Sequence, residues 1–444
     1  MMARINLGIV SQTPVVRIFE KHPTETIRIS NLGKNEYVHT VGGVSPLINA
    51  QLEELSRMNA IRKAVWFSLN PNAPRNILIS KRVKAVSIHM EGESSRDYVN
   101  FKEEIWNNIH SLSSREFTIK EYLGYFRYNS KLARIMLQDH EDLSLFEIHD
   151  FQQLLLGAML GPSFPTILRW HIPFVPEILN RKIRKFIING LEGNDAVIVS
   201  TKRDLQGLIR AGYHGSAYQI YPHIDPGIWK RPERRGAEEL ASKLGILPRD
   251  FVVVNVARMD AMKSQDDLIK AVALLKGHGI KLLLVGGGSF SSGSRGLGHP
   301  KGAKWLRRLR RLARRLGIED RVIFTDRISH QNLERIYSRA DLMVLPSRME
   351  GFGLVVIEGW TYGIPAIVSS GAGVSELIMD DLNGLKFKPG DFRSLARRIL
   401  SLYEDEGLRT DMGRNAHRMA RLCHVSTTAP QILETYKKTI AGFE

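Results

Sequence analysis

Along most of this chain two hydrophobic periods take turns. Short continuous apolar runs, the mark of strands buried on both faces, are followed by apolar positions three and four apart, the mark of a helix with one buried face. Ala64–Leu69, Lys84–Ile88, Leu145–Ile148, Pro165–Trp170 and Asp195–Ser200 predict strands in the first half. Phe251–Ala257, Lys281–Val285, Val322–Thr325, Leu342–Pro346 and Ala366–Val368 predict them in the second. Between them, Leu47, Ile48, Leu52, Leu55 and Met58 share one helix face, and Leu268, Ile269, Ala271, Val272 and Leu275 share another. Residues 95–140 read mostly as helix, and helices follow from Asp391. Residues 1–35 show no strong period and read as a peripheral layer, with a strand at Tyr37–Val41 after them. Strand–helix alternation in both halves predicts an α/β chain of two doubly wound, Rossmann-like domains. The expected boundaries are 1–228, a basic Pro-rich linker at 229–236, 237–425, and a last helix, 426–444, that could cross back to the first domain.

Polar residues stand at the C-terminal ends of successive predicted strands, the edge where open α/β sheets bind ligands. In the first half these are His149-Asp150 and His171-Ile172-Pro173-Phe174. In the second half Arg258-Met259-Asp260-Ala261-Met262-Lys263 follows a strand, placing two cations in one strand-to-helix loop. Arg can hold a phosphate bidentately, and Lys adds a point charge. The stretch Ser347–Val368 organises the rest. A strand runs into Gly351-Phe352-Gly353, a helix starts at Leu354, and Gly363 and Pro365 stop it. A glycine turn at a helix N-terminus is an anion site, because unpaired N–H groups and the dipole both face the ligand. Glu350 and Glu358 bracket that turn.

Glu350-x7-Glu358 around Gly-Phe-Gly-Leu resembles the sugar-nucleotide site of the retaining GT-B glycosyltransferases of the glycogen-synthase and sucrose-synthase type. The resemblance implies the GT-B fold, with two Rossmann-like domains facing a cleft. It implies that Arg258 and Lys263 contact the donor pyrophosphate, together with the amides around Gly351, Phe352, Gly353 and Leu354. Glu358 would take the ribose hydroxyls and Glu350 the donor sugar. Gly42-Gly43-Val44 resembles the loop that touches donor and acceptor. In the first half, His149-Asp150, the His171 run and Gly190–Asp195 resemble trehalose-6-phosphate synthases, while Trp170-His171-Ile172 and Ala64–Ser68 also resemble nucleotide-glucose-dependent trehalose synthases. By that resemblance His171 contacts the transferring sugar and Asp150 orients the acceptor.

The expected reaction moves glucose, with retention, from UDP-, GDP- or ADP-glucose to glucose 6-phosphate, forming trehalose 6-phosphate. The alternatives are free glucose as acceptor, a glycan or glycolipid acceptor, or a sugar-nucleotide epimerase of the same fold. No Asp-x-Asp pair occurs, so no metal and no other cofactor is expected. Arg75, Lys81, Arg82 and Arg169 are candidates for an acceptor phosphate, with Arg169 and His171 on the same side of one strand.

Composition changes this picture little. The chain has 444 residues, 43% hydrophobic and 25% charged, which suits two soluble domains. A single cysteine, Cys423, excludes an intrachain disulfide, and no leader or membrane span is recognisable, so a cytoplasmic location is expected. The net charge of +17 favours phosphorylated substrates, but no nucleic-acid signature accompanies it. A basic helix from about Lys304 to Leu316 reads as a solvated outer helix that could make weak membrane-surface contact. A homo-oligomer is left open.

Overall fold

The computed structural model describes residues 4–443 except 20–23, 34, 41–43, 91, 113–114, 140–141, 162 and 289–301. The chain divides into two compact units, Met1–His223 with Val425–Glu444, and Ile224–His424. Among the described residues no helix is long and apolar enough to cross a membrane.

The first unit contains β1 (Ile5–Ser11), β2 (Val16–Ile18), β3 (Thr26–Arg28), β4 (Tyr37–His39), β5 (Ile61–Leu69), β6 (Asn76–Leu78), β7 (Val83–Ile88), β8 (Leu145–His149), β9 (Thr166–Trp170), β10 (Ala196–Val199) and β11 (Ser216–Gln219). Nine of these form one sheet in the order β11-β10-β9-β8-β1-β5-β7-β6-β3, while β2 and β4 pair separately. The nine-stranded sheet is parallel except where β6 runs against β7. From β1 the chain moves outward through β5 and β7, then returns to lay β8 on the other side of β1. The β1–β8 junction is thus a topological switch point, where a crevice opens at the C-terminal edge.

This corrects the expectation of a peripheral layer over residues 1–35. All seven residues of β1 are buried, and the strand lies at the centre of the sheet. Asn6, Gly8 and Ser11 interrupt its apolar run and hid it. Each has a structural reason: Asn6 Oδ1 accepts from Arg62 Nε at 3.0 Å. A Cβ on Gly8 would lie 2.2 Å from the Phe146 ring, and Ser11 Oγ accepts the Trp66 indole N–H at 2.8 Å.

The second unit is built on β12 (Phe251–Val256), β13 (Ile280–Val285), β14 (Val322–Thr325), β15 (Leu342–Leu345), β16 (Ala366–Ser369) and β17 (Gly384–Phe387). They form a parallel sheet in the order β14-β13-β12-β15-β16-β17, with its switch point between β12 and β15. Val253, Leu282, Leu284, Val344 and Ile367 pack there against Leu268, Ile269, Val272, Leu309 and Ile399 from the flanking helices. The expected linker, 229–236, is part of this unit. The Trp229 ring lies 4.4 Å from His330 and 5.7 Å from Tyr337, and Arg234 opens a helix that runs to Lys243. Its Pro and Arg content suggested a spacer, but the aromatic contacts fix it to the domain.

Candidate functional site

In the second unit the switch point brings together the two loops singled out above. The loop after β12 carries Arg258 and Lys263, and the loop after β15 carries Ser347–Gly353. They are joined backbone to backbone, with Arg348 N donating to Met262 O at 2.9 Å. Across this junction Lys263 Nζ contacts Glu350 Oε2, which also accepts from Ser347 Oγ at 3.2 Å. Burial alone would push the Glu350 carboxyl up. Lys263, Arg258 and the Ser347 hydroxyl outweigh it and hold Glu350 below the usual carboxylate range. Glu350 is therefore ionised, and it half-neutralises a two-cation site.

The glycine turn is rigid. Gly353 sits at φ 105°, ψ 54°, and a Cβ there would lie 2.6 Å from Leu345 Cδ2, so both the conformation and the close approach require glycine. No side chain caps the helix Leu354–Thr361 that begins at this point, which leaves its N-terminal end turned to the ligand edge. Backbone bonds from Glu350 N to Gly371 O (3.2 Å) and Val374 N to Phe352 O (2.8 Å) hold the turn on the segment after β16. Glu358, farther along the helix, accepts from Tyr337 Oη at 2.9 Å. Burial pushes its carboxyl up to about 7, eased by the Tyr337 hydroxyl and by His330.

In the first unit β8 and β9 place Glu147, His149, Arg169 and His171 on one face, because alternate residues share a side and His149 is in register with Arg169. His149 Nδ1 and His171 Nε2 are 2.9 Å apart with their rings stacked. Behind them Glu147 Oε2 accepts from Gln51 Nε2 (2.6 Å) and Tyr436 Oη (2.5 Å). Gln51 comes from the helix Ser45–Arg57 and Tyr436 from Val425–Phe443, two helices that pack together on this face. Asp150 has φ 64° and ψ −179°, a region nearly reserved for glycine, at a cost of about 1–3 kcal/mol. Its Oδ1 accepts from His171 N at 2.8 Å, and burial still pushes its carboxyl up to about 7. A strained carboxylic acid and a half-buried histidine thus meet at the switch point of this sheet.

Arg169 does not face an acceptor. It is 1% exposed, donates from Nη1 to Gln51 Oε1 at 2.8 Å, and lies 3.8 Å from Glu147. Lys81 and Arg82 precede β7 and so stand at the opposite edge of the sheet, where Arg82 donates to Ser56 O. Arg75 precedes the antiparallel β6 and lies at the ligand edge, where its carbonyl accepts from Ser87 N. Gly42 and Gly43 lie outside the described residues. Sequence reasoning missed His149 as the partner of His171. Its position just before Asp150 at a strand end was the available signal.

The buried histidines make stability pH-dependent. From an ordinary 6.5, burial pushes His149 down to about 4 and His223 to about 3, and His171 falls well below its ordinary value. The fold keeps all three neutral, so the stability they confer is complete above 6.5 and lost as pH falls toward 4. Asp150 and Glu358, raised to about 7, act in the opposite sense over that range, two groups against three. The Tm is expected to fall on acidification from pH 6.5 to about 4. A Tm that stayed flat or rose would show that the histidines are not held neutral.

Comparison with known proteins places these features. Residues 237–419 match the family described as Glycosyl transferases group 1. A D-inositol 3-phosphate glycosyltransferase of Mycobacterium marinum is 30% identical over 258 residues, 56% of this chain and 51% of that protein. One from Salinispora tropica is 32% identical over 215 residues, 47% of this chain and 43% of that protein. The matches thus span about half the length of these relatives. Among solved structures, sucrose-phosphate synthase from Thermosynechococcus elongatus superimposes with a TM-score of 0.74 at 20% identity, covering 99% of this chain and 100% of that one. An α,α-trehalose-phosphate synthase from Burkholderia xenovorans, solved with glucose-6-phosphate, gives 0.77 at 16% identity, covering 97% and 100%. The fold is that of the GT-B glycosyltransferases throughout the chain. Residues 237–419 match the group 1 glycosyl transferase family, and over the rest of the chain the likeness is one of fold.

Proposed function

We propose that this chain moves glucose from a nucleotide-glucose donor to glucose 6-phosphate with retention of configuration, forming trehalose 6-phosphate. The observation that carries the transfer itself is the Lys263–Glu350 pair beside Arg258 and the uncapped helix start at Leu354. Departure of the diphosphate builds negative charge, and preorganised cations and amides at that place lower the barrier. Glu350 is ionised and suits donor-sugar hydroxyls once the diphosphate competes for Lys263. Glu358 suits the ribose, and its hydrogen bond from Tyr337 fixes the carboxyl. Asp150 orients the acceptor, and His171 contacts the transferring sugar. No metal is needed in this reading, since two cations meet the diphosphate.

A second acceptor has its own support. The sequence relatives act, by name, on D-inositol 3-phosphate. That acceptor and glucose 6-phosphate are both phosphorylated cyclic polyols. One assay separates the readings. UDP-, GDP- and ADP-glucose are each offered, in EDTA, with glucose 6-phosphate, D-inositol 3-phosphate, free glucose or no acceptor. The expected product is a phosphorylated disaccharide with an α-linkage from the donor. A phosphorylated glucosyl-inositol instead would move the assignment to the second acceptor. Faster transfer to free glucose would make the enzyme a trehalose synthase. Conversion of the donor without any acceptor would make it an epimerase.

A further inference from the structure

The helix Gly302–Arg315 has two faces of opposite character. Leu309 and Ala313 are buried in the core of the second unit, with Trp305, Leu306 and Leu312 packed beside them. At 3.6 residues per turn, Arg311 points directly away from that face. Lys304, Arg307, Arg308, Arg310, Arg314 and Arg315 flank it, and all seven cations are exposed. None of the seven is paired with a carboxylate among the described residues. The cause lies in the sequence: between Asp267 and Glu319 there is no acidic residue, against twelve Lys and Arg. Like charges four apart, such as Arg307 with Arg311 and Arg311 with Arg315, repel one another on a free helix. This helix is held by its buried face, so the repulsion persists as a concentrated positive surface. The stripe from Lys304 to Arg315 is about 17 Å long.

We propose that this face docks the protein on an anionic lipid bilayer. The cations form a straight, convex stripe rather than a groove. Trp305, the aromatic residue of the helix, turns inward, donating from Nε1 to Gln265 Oε1 at 2.9 Å with the Arg308 guanidinium 5.3 Å from its ring. A single nucleic-acid strand is held by a groove and stacking aromatics, and this surface offers neither. A plane of headgroup phosphates can meet the whole stripe at once, each cation raising the partition about fivefold.

The docked face adjoins the donor loops. A Cβ on Gly302 would lie 2.6 Å from Gly288 Cα and 3.3 Å from Met259 O. Gln265, which accepts from Trp305, donates to Arg258 O at 2.8 Å. Docking would therefore fix the ligand edge of the second unit with respect to the bilayer. This inference does not depend on which sugar is transferred, and its test reads binding rather than turnover.

The test is sedimentation of the full chain with vesicles of phosphatidylcholine alone and of equal parts phosphatidylcholine and phosphatidylglycerol. Binding is expected only to the anionic vesicles, and it should weaken with salt. Changing Arg307→Gln, Arg311→Gln and Arg314→Gln together should lower the partition about 10²-fold, while kinetics with soluble substrates stay unchanged. The control set Arg393→Gln, Arg397→Gln and Arg418→Gln, exposed on other helices of the same unit, removes the same charge and should leave most of the binding. An equal loss in the control set would overturn the proposal. So would equal binding to neutral vesicles, or tighter binding to a single-stranded RNA oligomer at matched phosphate concentration.

Discussion

Lys263→Ala is expected to lower kcat by about 10²- to 10³-fold, the scale of removing one preorganised charge stabiliser from a developing anion. Lys263 is 15% exposed and fixed on Glu350, and Arg258 is the more exposed of the two cations. Arg258→Ala should therefore cost less in kcat and more in donor KM. Removing Lys263 also takes the Lys263 ion pair from the Glu350 carboxylate, which is 20% exposed. That should cost about 1–2 kcal/mol of stability. A double variant, Lys263→Ala with Glu350→Gln, separates the two effects. Stability should return, because the amide carries no charge that burial opposes, and turnover should not. Thermal unfolding and steady-state kinetics on the same preparations check both. Full turnover in Lys263→Ala with unchanged donor KM would remove this residue from the site.

Asp150→Gly should make the protein more stable and less active at once. Glycine adopts φ 64°, ψ −179° freely, which releases about 1–3 kcal/mol of backbone strain. It also removes a carboxyl whose ionisation burial opposes. Against this stands the hydrogen bond from His171 N, worth about 1 kcal/mol. The net expectation is a gain of about 1 kcal/mol in unfolding free energy. Turnover should fall about 10²-fold, because the acceptor loses the group that orients it. Asp150→Asn keeps the strained backbone and a hydrogen-bonding side chain, so it should show no gain in stability. If Asp150→Gly is destabilised, the strain is not stored at this residue. If it keeps full activity, the carboxyl plays no part in transfer.

Much of this could be read from residue order. Apolar runs located five of the six strands of the second sheet, all but β17, since β12, β13 and β15 are buried on both faces and need no alternation. The glycine turn, Arg258, Lys263, Glu350 and Glu358 were legible because each sits beside a recognisable strand end or helix start. β1 was not legible, because its Asn, Gly and Ser are polar or small for reasons supplied by Arg62, Phe146 and Trp66, which follow far along the chain. The linker assignment failed for a similar reason. Pro and Arg at 231–235 read as solvent-exposed spacer, and nothing local announces that Trp229 packs on His330 and Tyr337.

By itself the sequence determined most of the buried strands and many of the helices between them, and which loops carry charge at a ligand edge. Those follow from local periodicity and from backbone rules at Gly and Pro, which act within a few residues. Only the tertiary structure decided who pairs with whom. Strand order set β12 beside β15, and that alone placed Lys263 on Glu350 across eighty-seven residues of chain. It set β8 beside β9, which put His149 on His171 and closed Arg169 beneath Gln51, Glu147 and Tyr436. Arg258, exposed in a strand-to-helix loop, and Arg169, sealed in a buried network, are the same letter in sequence. Packing partners from distant segments decide between them, because burial and hydrogen bonding are properties of the assembled surface.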